Sequence, residues 1–398
     1  MTEVAGFRVA GVSAGLKANG ATDMALIVSD RPCAAAGVFT TNLMKAAPVL
    51  LDQELLAADP SHMRAVIVNT RCANACTGDQ GLVNARHMGT LTARALGVEP
   101  SQVLVMSTGV IGTHLPMDRI EHGVSLAVEA LGGDWEMAAR GIMTTDTRPK
   151  LATAQAMLSQ GTVTLTGIAK GAGMIAPNMA TMLSLIVTDA ALNSEQAASM
   201  LSAAAATTFN RIVIDGDMST NDTLLLLANG ASGVEVTSSD EAAFAIALHR
   251  VCLELAQAIV RDGEGATRFV TLEVCGAAND ADAHQIANTI ATSPLVKTAL
   301  YGADANWGRI VAAAGRAGVA FHTHAARLWI APGQVFDDGL LLFEHGMPTA
   351  YSEDRATEIV RAPEIYVRLE VGSGGGTATV YTCDLSHDYV SINGSYRS

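Results

Sequence analysis

Positive charge is scarce in this chain: 25 Lys and Arg stand against 39 Asp and Glu, for a formal net charge of −14 at pH 7. That balance argues against nonspecific binding to nucleic acid, which depends on neutralising phosphates with Lys and Arg, and fits an acidic, solvated surface. Long apolar runs are also lacking. Leu183–Val187 and Leu224–Ala228 are far shorter than the ~20 residues needed to cross a bilayer. The start, Met1 to Arg8, has no basic segment followed by an apolar core, so no secretory signal is visible and the cytoplasm is the expected compartment. Cysteine is sparse, with six residues scattered at 33, 72, 76, 252, 275 and 383, a pattern that suits a reducing compartment better than a disulfide framework. Cys72-x-x-x-Cys76 has no matching second pair, so no zinc site is expected, and His322-Thr323-His324 reads as a strand or loop surface. Gly372-Ser373-Gly374-Gly375-Gly376 is followed by no Walker lysine, and Lys170-Gly171-Ala172-Gly173 lacks the dinucleotide spacing, so no cofactor is expected.

Aliphatic residues are abundant. With 398 residues, 49% hydrophobic and only 4% aromatic, the chain can bury a large core in more than one folding unit. Alternation in Thr162–Thr166 predicts a strand with one polar face, Gly167–Pro177 a loop, and Met182–Val187 a buried strand. Asn193, with Gln196 at the third helical position, predicts a helix start. Ser238 with Glu241 forms a capping-box pattern before Ala242–Val260, where Phe244, Leu248, Val251, Leu255 and Ile259 recur at helical spacing and should face a core. A further helix is expected at Ala281–Thr292, and two strands, Ile365–Val371 and Thr377–Thr382, flank the glycine run as a hairpin would. Mixed strands and helices of this kind indicate an α+β protein.

The most telling stretch runs from Lys170 to Leu183, where Thr181 follows Ala180 at a loop-to-strand junction. Strain can be concentrated on one peptide bond at such a junction, and a sheet can anchor a new amino terminus. Cleavage between Ala180 and Thr181 would give Thr181 both a hydroxyl and a free α-amino group, so that nucleophile and general base share one residue. An α-amino group with an unperturbed pKa of roughly 7.7–8.0 has a useful neutral fraction near physiological pH. Taken alone, a threonine that opens a strand is more often structural.

Further blocks change the weighing. They are Ala36–Asn42, Ala73–Gly78, Ser107–Gly112, Ile142–Thr147, Asp215–Thr223, Asp262–Thr267, Ser293–Ala299, Asn306–Arg309, Asp384–Ser386 and Asn393–Tyr396. In this order and over nearly the whole length, the chain closely resembles the ornithine acetyltransferase family, also called glutamate N-acetyltransferases, which are self-cleaving N-terminal-nucleophile enzymes. The resemblance implies that Thr181 is the cleaved nucleophile and that Thr108 and Gly109 form the oxyanion hole. It further implies that Thr144, Lys170, Thr181, Glu264, Asn393 and Ser398 contact substrate. Lys170 would anchor an α-carboxylate and Glu264 would pair with the ornithine ammonium. The tail would fold back over the site, anchored by Tyr389, Val390 and Ile392.

The implied fold is a layered α/β/β/α core with a smaller carboxy-terminal α+β domain. Cleavage would give chains 1–180 and 181–398, the second comprising 181–278 of the core and 279–398 of the smaller domain. The implied reaction moves acetyl from N2-acetyl-L-ornithine to L-glutamate, in a heterotetramer of two chains of each kind, with no nucleic-acid or membrane partner. Acetyl-CoA as a further donor, a self-processing aminopeptidase or amidase, and a secondary-metabolism acetyltransferase stay open. One departure stands out: where the family reads Asn-Ser-Gly-Asn-Ala-Asn-Ala, this chain has Asn69-Thr70-Arg71-Cys72-Ala73-Asn74-Ala75. If the family glycine sits at positive φ, Arg71 would be strained there.

Overall fold

The computed structural model describes residues 3–176 and 182–395. Its strands are β1 (Phe7–Val12), β2 (Met24–Phe39), β3 (Met63–Asn69), β4 (Val103–Ser107), β5 (Lys150–Leu158), β6 (Gly161–Lys170), β7 (Leu183–Thr188), β8 (Ile212–Val213), β9 (Thr223–Ala228), β10 (Phe269–Ala277), β11 (Arg327–Pro332), β12 (Leu340–Glu344), β13 (Met347–Pro348), β14 (Glu364–Glu370) and β15 (Gly376–Cys383). The helices are α1 (Ala47–Ala58), α2 (Gly78–Leu96), α3 (Met117–Glu129), α4 (Trp135–Gly141), α5 (Ser194–Thr207), α6 (Glu241–Arg261), α7 (Asp280–Ala291), α8 (Pro294–Tyr301), α9 (Trp307–Gly315), α10 (Glu353–Val360) and α11 (His387–Ser395). The chain divides into two compact units. One holds the described residues up to Asn210 together with Asp217–Ile259, and the other holds Arg211–Gly216 and the described residues from Val260 onward.

In the first unit, strands are ordered β4-β3-β2-β9-β7-β6-β5, with β1 also pairing with β2. The 16-residue β2 is shared: Met24–Val28 pairs with β3, the register shifts, and Ala34–Phe39 pairs with β9. The shift lets one strand serve two half-sheets, whose facing sides meet in a single cluster. Val9, Ile27, Val66, Val68 and Leu104 from one half-sheet pack there with Ile168, Leu185, Val187, Leu225 and Leu227 from the other. The opposite side of the first half-sheet, with Leu26, Ile67 and Val105, packs on Met88 of α2 and on Ile120 and Val124 of α3. On the far side of the second, Gly167 is bare where Leu255 and Val251 of α6 press against β6. The layers therefore run α/β/β/α, as expected.

α6 is 21 residues long, and by length and composition alone it is apolar enough to cross a membrane. Phe244, Leu248, Val251, Leu255 and Ile259 are nevertheless fully buried, so this stripe faces the core as its spacing predicts. Its start differs from expectation. Helix begins at Glu241, which puts Ser238 too far upstream to cap it. The neighbouring Asp240 carboxylate accepts instead from Ser159 N–H and Oγ at 2.8 Å and from Thr237 Oγ1 at 2.6 Å. At α5, by contrast, the Asn193–Gln196 capping box forms in full.

The second unit holds a sheet ordered β13-β12-β11-β14-β10-β15-β8. Val270, Leu272, Val274, Val367 and Leu369 on one face pack against Ile286 and Ile290 of α7, Ile310 of α9 and Ile359 of α10. β14 and β15 do not form the expected hairpin, because β10 lies between them, parallel to β14 and antiparallel to β15. The glycines of 372–376 carry the chain across the end of β10, where a Cβ on Gly374 or Gly376 would run into the backbone of Ala277 or Asn279. β10, with its partners β14 and β15, lies in this second unit, whose main segment begins at Val260.

Candidate active site

In the first unit, the expected oxyanion segment follows directly from β4. Ser107 ends that strand with its Oγ on Asn69 Oδ1 at 2.6 Å, and Thr108 N–H donates to Asn69 O at 3.1 Å. Gly109 has φ +133°, and a Cβ there would run into the backbone of Arg71 and Cys72. Glycine is therefore required by both torsion and space. The Thr108 side chain is buried, and its hydroxyl has no hydrogen-bond partner among the described residues. A small donor left open beside a glycine is what an oxyanion site needs. The packing partner, Arg71, has φ +70°, so the residue that replaces the family glycine does occupy the left-handed region.

Lys170 ends β6 rather than lying in the expected loop, because β6 stays paired with β7 up to Lys170↔Leu183. It is 3% exposed. Immediately after it, Gly171 N–H donates to Asp146 Oδ1 at 2.7 Å, while Lys150 Nζ reaches the same oxygen at 2.6 Å. The other oxygen, Oδ2, accepts from Thr144 N–H at 2.9 Å. One buried carboxylate thus ties Thr144 to the Lys170–Gly171 corner, two of the expected substrate contacts. Burial alone would raise the Asp146 pKa, but the charges of Lys170 and Lys150, with the Gly171 hydrogen bond, push it well below the usual carboxylate range.

A second short loop joins the two sides of the site. Asn221 Nδ2 donates to Ser107 O at 2.8 Å and to Ala73 O at 2.7 Å, holding the segment that leads into Thr108. Its neighbour Asp222 accepts from Met182 N–H at 3.1 Å, and Thr223 N–H donates to Met182 O at 3.1 Å. Asp222 is fully buried, and its Oδ2 has no hydrogen-bond partner among the described residues. Burial dominates here and raises the pKa well above the ordinary value, against the Met182 hydrogen bond and the charge of Lys170. Ala180 and Thr181, and likewise Ser398, lie outside the described residues.

In the second unit, Asn393 Nδ2 donates to Glu264 Oε2 at 2.7 Å, so two expected substrate contacts meet. The tail is held there by Tyr389 Oη on Asp215 Oδ2 at 3.1 Å and by Ser386 Oγ on Gly265 O at 2.6 Å. Asp384 accepts from Thr267 N–H at 2.8 Å and Arg268 N–H at 2.9 Å, joining two of the sequence blocks. Val390 is not an anchor, being 68% exposed on α11, and Ile392 is also exposed. The roles of Asp146, Asn221 and Asp222 were not foreseen, although all three lie in blocks that carry the resemblance. Among the described residues no group of His, Cys, Asp and Glu could hold a metal ion.

The ArgJ family profile matches residues 8–398. The chain belongs to the ArgJ family. It is 48% identical to the arginine biosynthesis bifunctional protein ArgJ of Geobacter sulfurreducens, over 99% of this chain and 100% of that protein. Among solved structures, the Bacillus halodurans protein of the same name is 40% identical over 52% of this chain and 96% of its own, with a TM-score of 0.49. An ornithine acetyltransferase from Mycobacterium tuberculosis, solved with ornithine, is 43% identical over 45% of this chain and 94% of its own, with a TM-score of 0.41. Membership in the ArgJ family makes this chain an acyltransferase of arginine biosynthesis.

Proposed function

We propose that this ArgJ-family enzyme cleaves itself between Ala180 and Thr181 and then transfers acetyl from N2-acetyl-L-ornithine to L-glutamate through an acetyl ester on Thr181. The observation that carries this reading is the Asn221-Asp222 pair, which holds the segment before Thr108 on one side and the residue after Thr181 on the other. A nucleophile and a set of donors for the developing oxyanion belong on such a shared support.

In the transfer reaction, the Thr181 hydroxyl attacks the acetyl carbonyl while its α-amine takes the hydroxyl proton. The Thr108 hydroxyl and Gly109 N–H would receive the charge that develops on the acetyl oxygen. Ornithine leaves with the proton returned by the amine. Glutamate then attacks the ester, in a ping-pong cycle. Lys170 would bind the α-carboxylate common to both substrates, with Thr144 beside it through Asp146. Glu264, oriented by Asn393, would take the ornithine ammonium, and Ser398 would complete the contacts from the tail. A heterotetramer of both cleaved chains working in the cytoplasm completes the reading.

Denaturing mass spectrometry of wild type beside Thr181→Ala tests the first stage. Fragments 1–180 and 181–398 are expected for wild type and one intact chain for the variant; an uncut wild type would sink the proposal. Acetylornithine consumed without glutamate would point to an amidase instead, and glutamate acetylated from acetyl-CoA would add a second donor.

A further inference from the structure

Among the described residues, few buried side-chain atoms lack a partner, and one of them, Asp222 Oδ2, belongs to a carboxyl whose other oxygen holds the residue after Thr181. Orphaned buried polar atoms are rare enough in native structures to require a reason. Leaving a carboxyl oxygen unmatched costs on the order of 1–3 kcal/mol. Structural needs alone do not call for an acid at this position: the Met182 N–H requires only one acceptor, which an amide or hydroxyl could supply equally well. A neutral carboxylic acid can do what those groups cannot, which is give up a proton and take one back.

Resting on the self-cleavage reading above, we propose that Asp222 is the acid of self-cleavage, protonating the nitrogen of Thr181 as the Ala180–Thr181 bond breaks. The Thr181 hydroxyl oxygen bonds to the Ala180 carbonyl carbon, and the C–N bond breaks. The departing nitrogen takes the carboxylic proton of Asp222, and the hydroxyl proton returns to the same carboxyl. Asp222 is neutral before and after, and no other reactant is consumed until water hydrolyses the ester. Once the amine is free, the same neutral acid leaves it basic, whereas an ionised carboxylate within ~4–6 Å would favour the ammonium form and disable it as a base.

Burial keeps that proton in place, against the pull of the neighbouring groups. The charge of Lys170 of β6 bears on Asp222, as do the hydroxyls of Thr40, just after β2, and of Ser219 in the 218–221 loop, all favouring the ionised form less strongly than burial opposes it. Lys170 also acts on Asp146, which Lys150 joins directly.

The test follows cleavage of the full chain by denaturing mass spectrometry after cell-free synthesis, at several pH values. Asp222→Asn is expected to slow cleavage by at least ~100-fold, the usual weight of a general acid. Wild-type cleavage should slow as rising pH ionises Asp222, and the variant should lose that dependence. Asp222→Glu, which keeps the acid, should cleave faster than Asp222→Asn and decides the matter if the asparagine variant does not fold. An Asp222→Asn chain cut at the wild-type rate, or a folded Asp222→Glu chain no faster than Asp222→Asn, overturns this role while leaving self-cleavage standing. A wild type that is never cut overturns both.

Discussion

Asp146 and Asp222 are the same side chain, both buried in the same unit, and their surroundings push their pKa values in opposite directions. Asp146 meets Lys150 Nζ and two backbone N–H groups and stays ionised. Asp222 accepts one backbone N–H, and its other oxygen has no hydrogen-bond partner among the described residues. The difference shows that burial alone does not set the charge of a carboxyl; the number of donors that reach it does. It also divides the labour: an ionised carboxylate is a fixed strut, while a neutral acid can exchange its proton.

The strongest way to break the contrast is Lys150→Met, which strips Asp146 of its hydrogen-bonded cation. Removing one partner of a buried pair leaves an uncompensated charge and should cost about 3–5 kcal/mol. Urea unfolding of the uncut Thr181→Ala background, with and without the change, measures it. Acid reaches Asp146 in a gentler way. Its folded pKa lies below the unfolded value, so its contribution is present above pH ~4 and disappears as pH falls further. Asp146→Asn should therefore flatten the acid limb of a stability profile.

Asp222 works with the opposite sign. Its folded pKa is raised, so stability is lost as pH climbs from the unfolded value towards the folded one. Asp222→Asn in the same background should gain about 1 kcal/mol at pH 8 and nothing near pH 4, a stabilisation at the expense of function. An equal gain at both values would show that Asp222 is charged in the fold. The smallest effect is expected at Arg71, which touches neither carboxyl. Arg71→Gly relieves a bulky residue at φ +70° and should raise stability by about 0.5–1 kcal/mol, read from the same urea midpoints.

Local patterning was legible wherever one element decides its own form. The Asn193 cap, the buried stripe of α6 and the strand after Thr181 all follow from spacing alone. The glycine run before β15 misled because a hairpin and a crossing over β10 demand the same residues, and only strand order separates them. Ser238 misled because Thr237 and Ser159 compete for Asp240, and Ser159 is 81 positions away. Gly167 interrupts the alternation and so predicts a loop at Lys170, although Gly167 is bare to admit α6. The two carboxyls lay in plain view in their blocks, but the Gly171 and Met182 N–H groups that reach them are brought there by the fold.

That sheet order has a consequence for the cut protein. β9 and β7, which follow residue 180, are inserted between β2 and β6, which precede it. Fragments 1–180 and 181–398 would be interleaved strand by strand, so neither could leave without dismantling the other's hydrogen-bond ladder. Denaturation would turn a folding reaction within one molecule into an encounter between two, each with exposed sheet edges. Processing at a single peptide bond would thus make assembly a one-way event: the native state would be reached once, from the uncut precursor, and afterwards preserved by the barrier to leaving it.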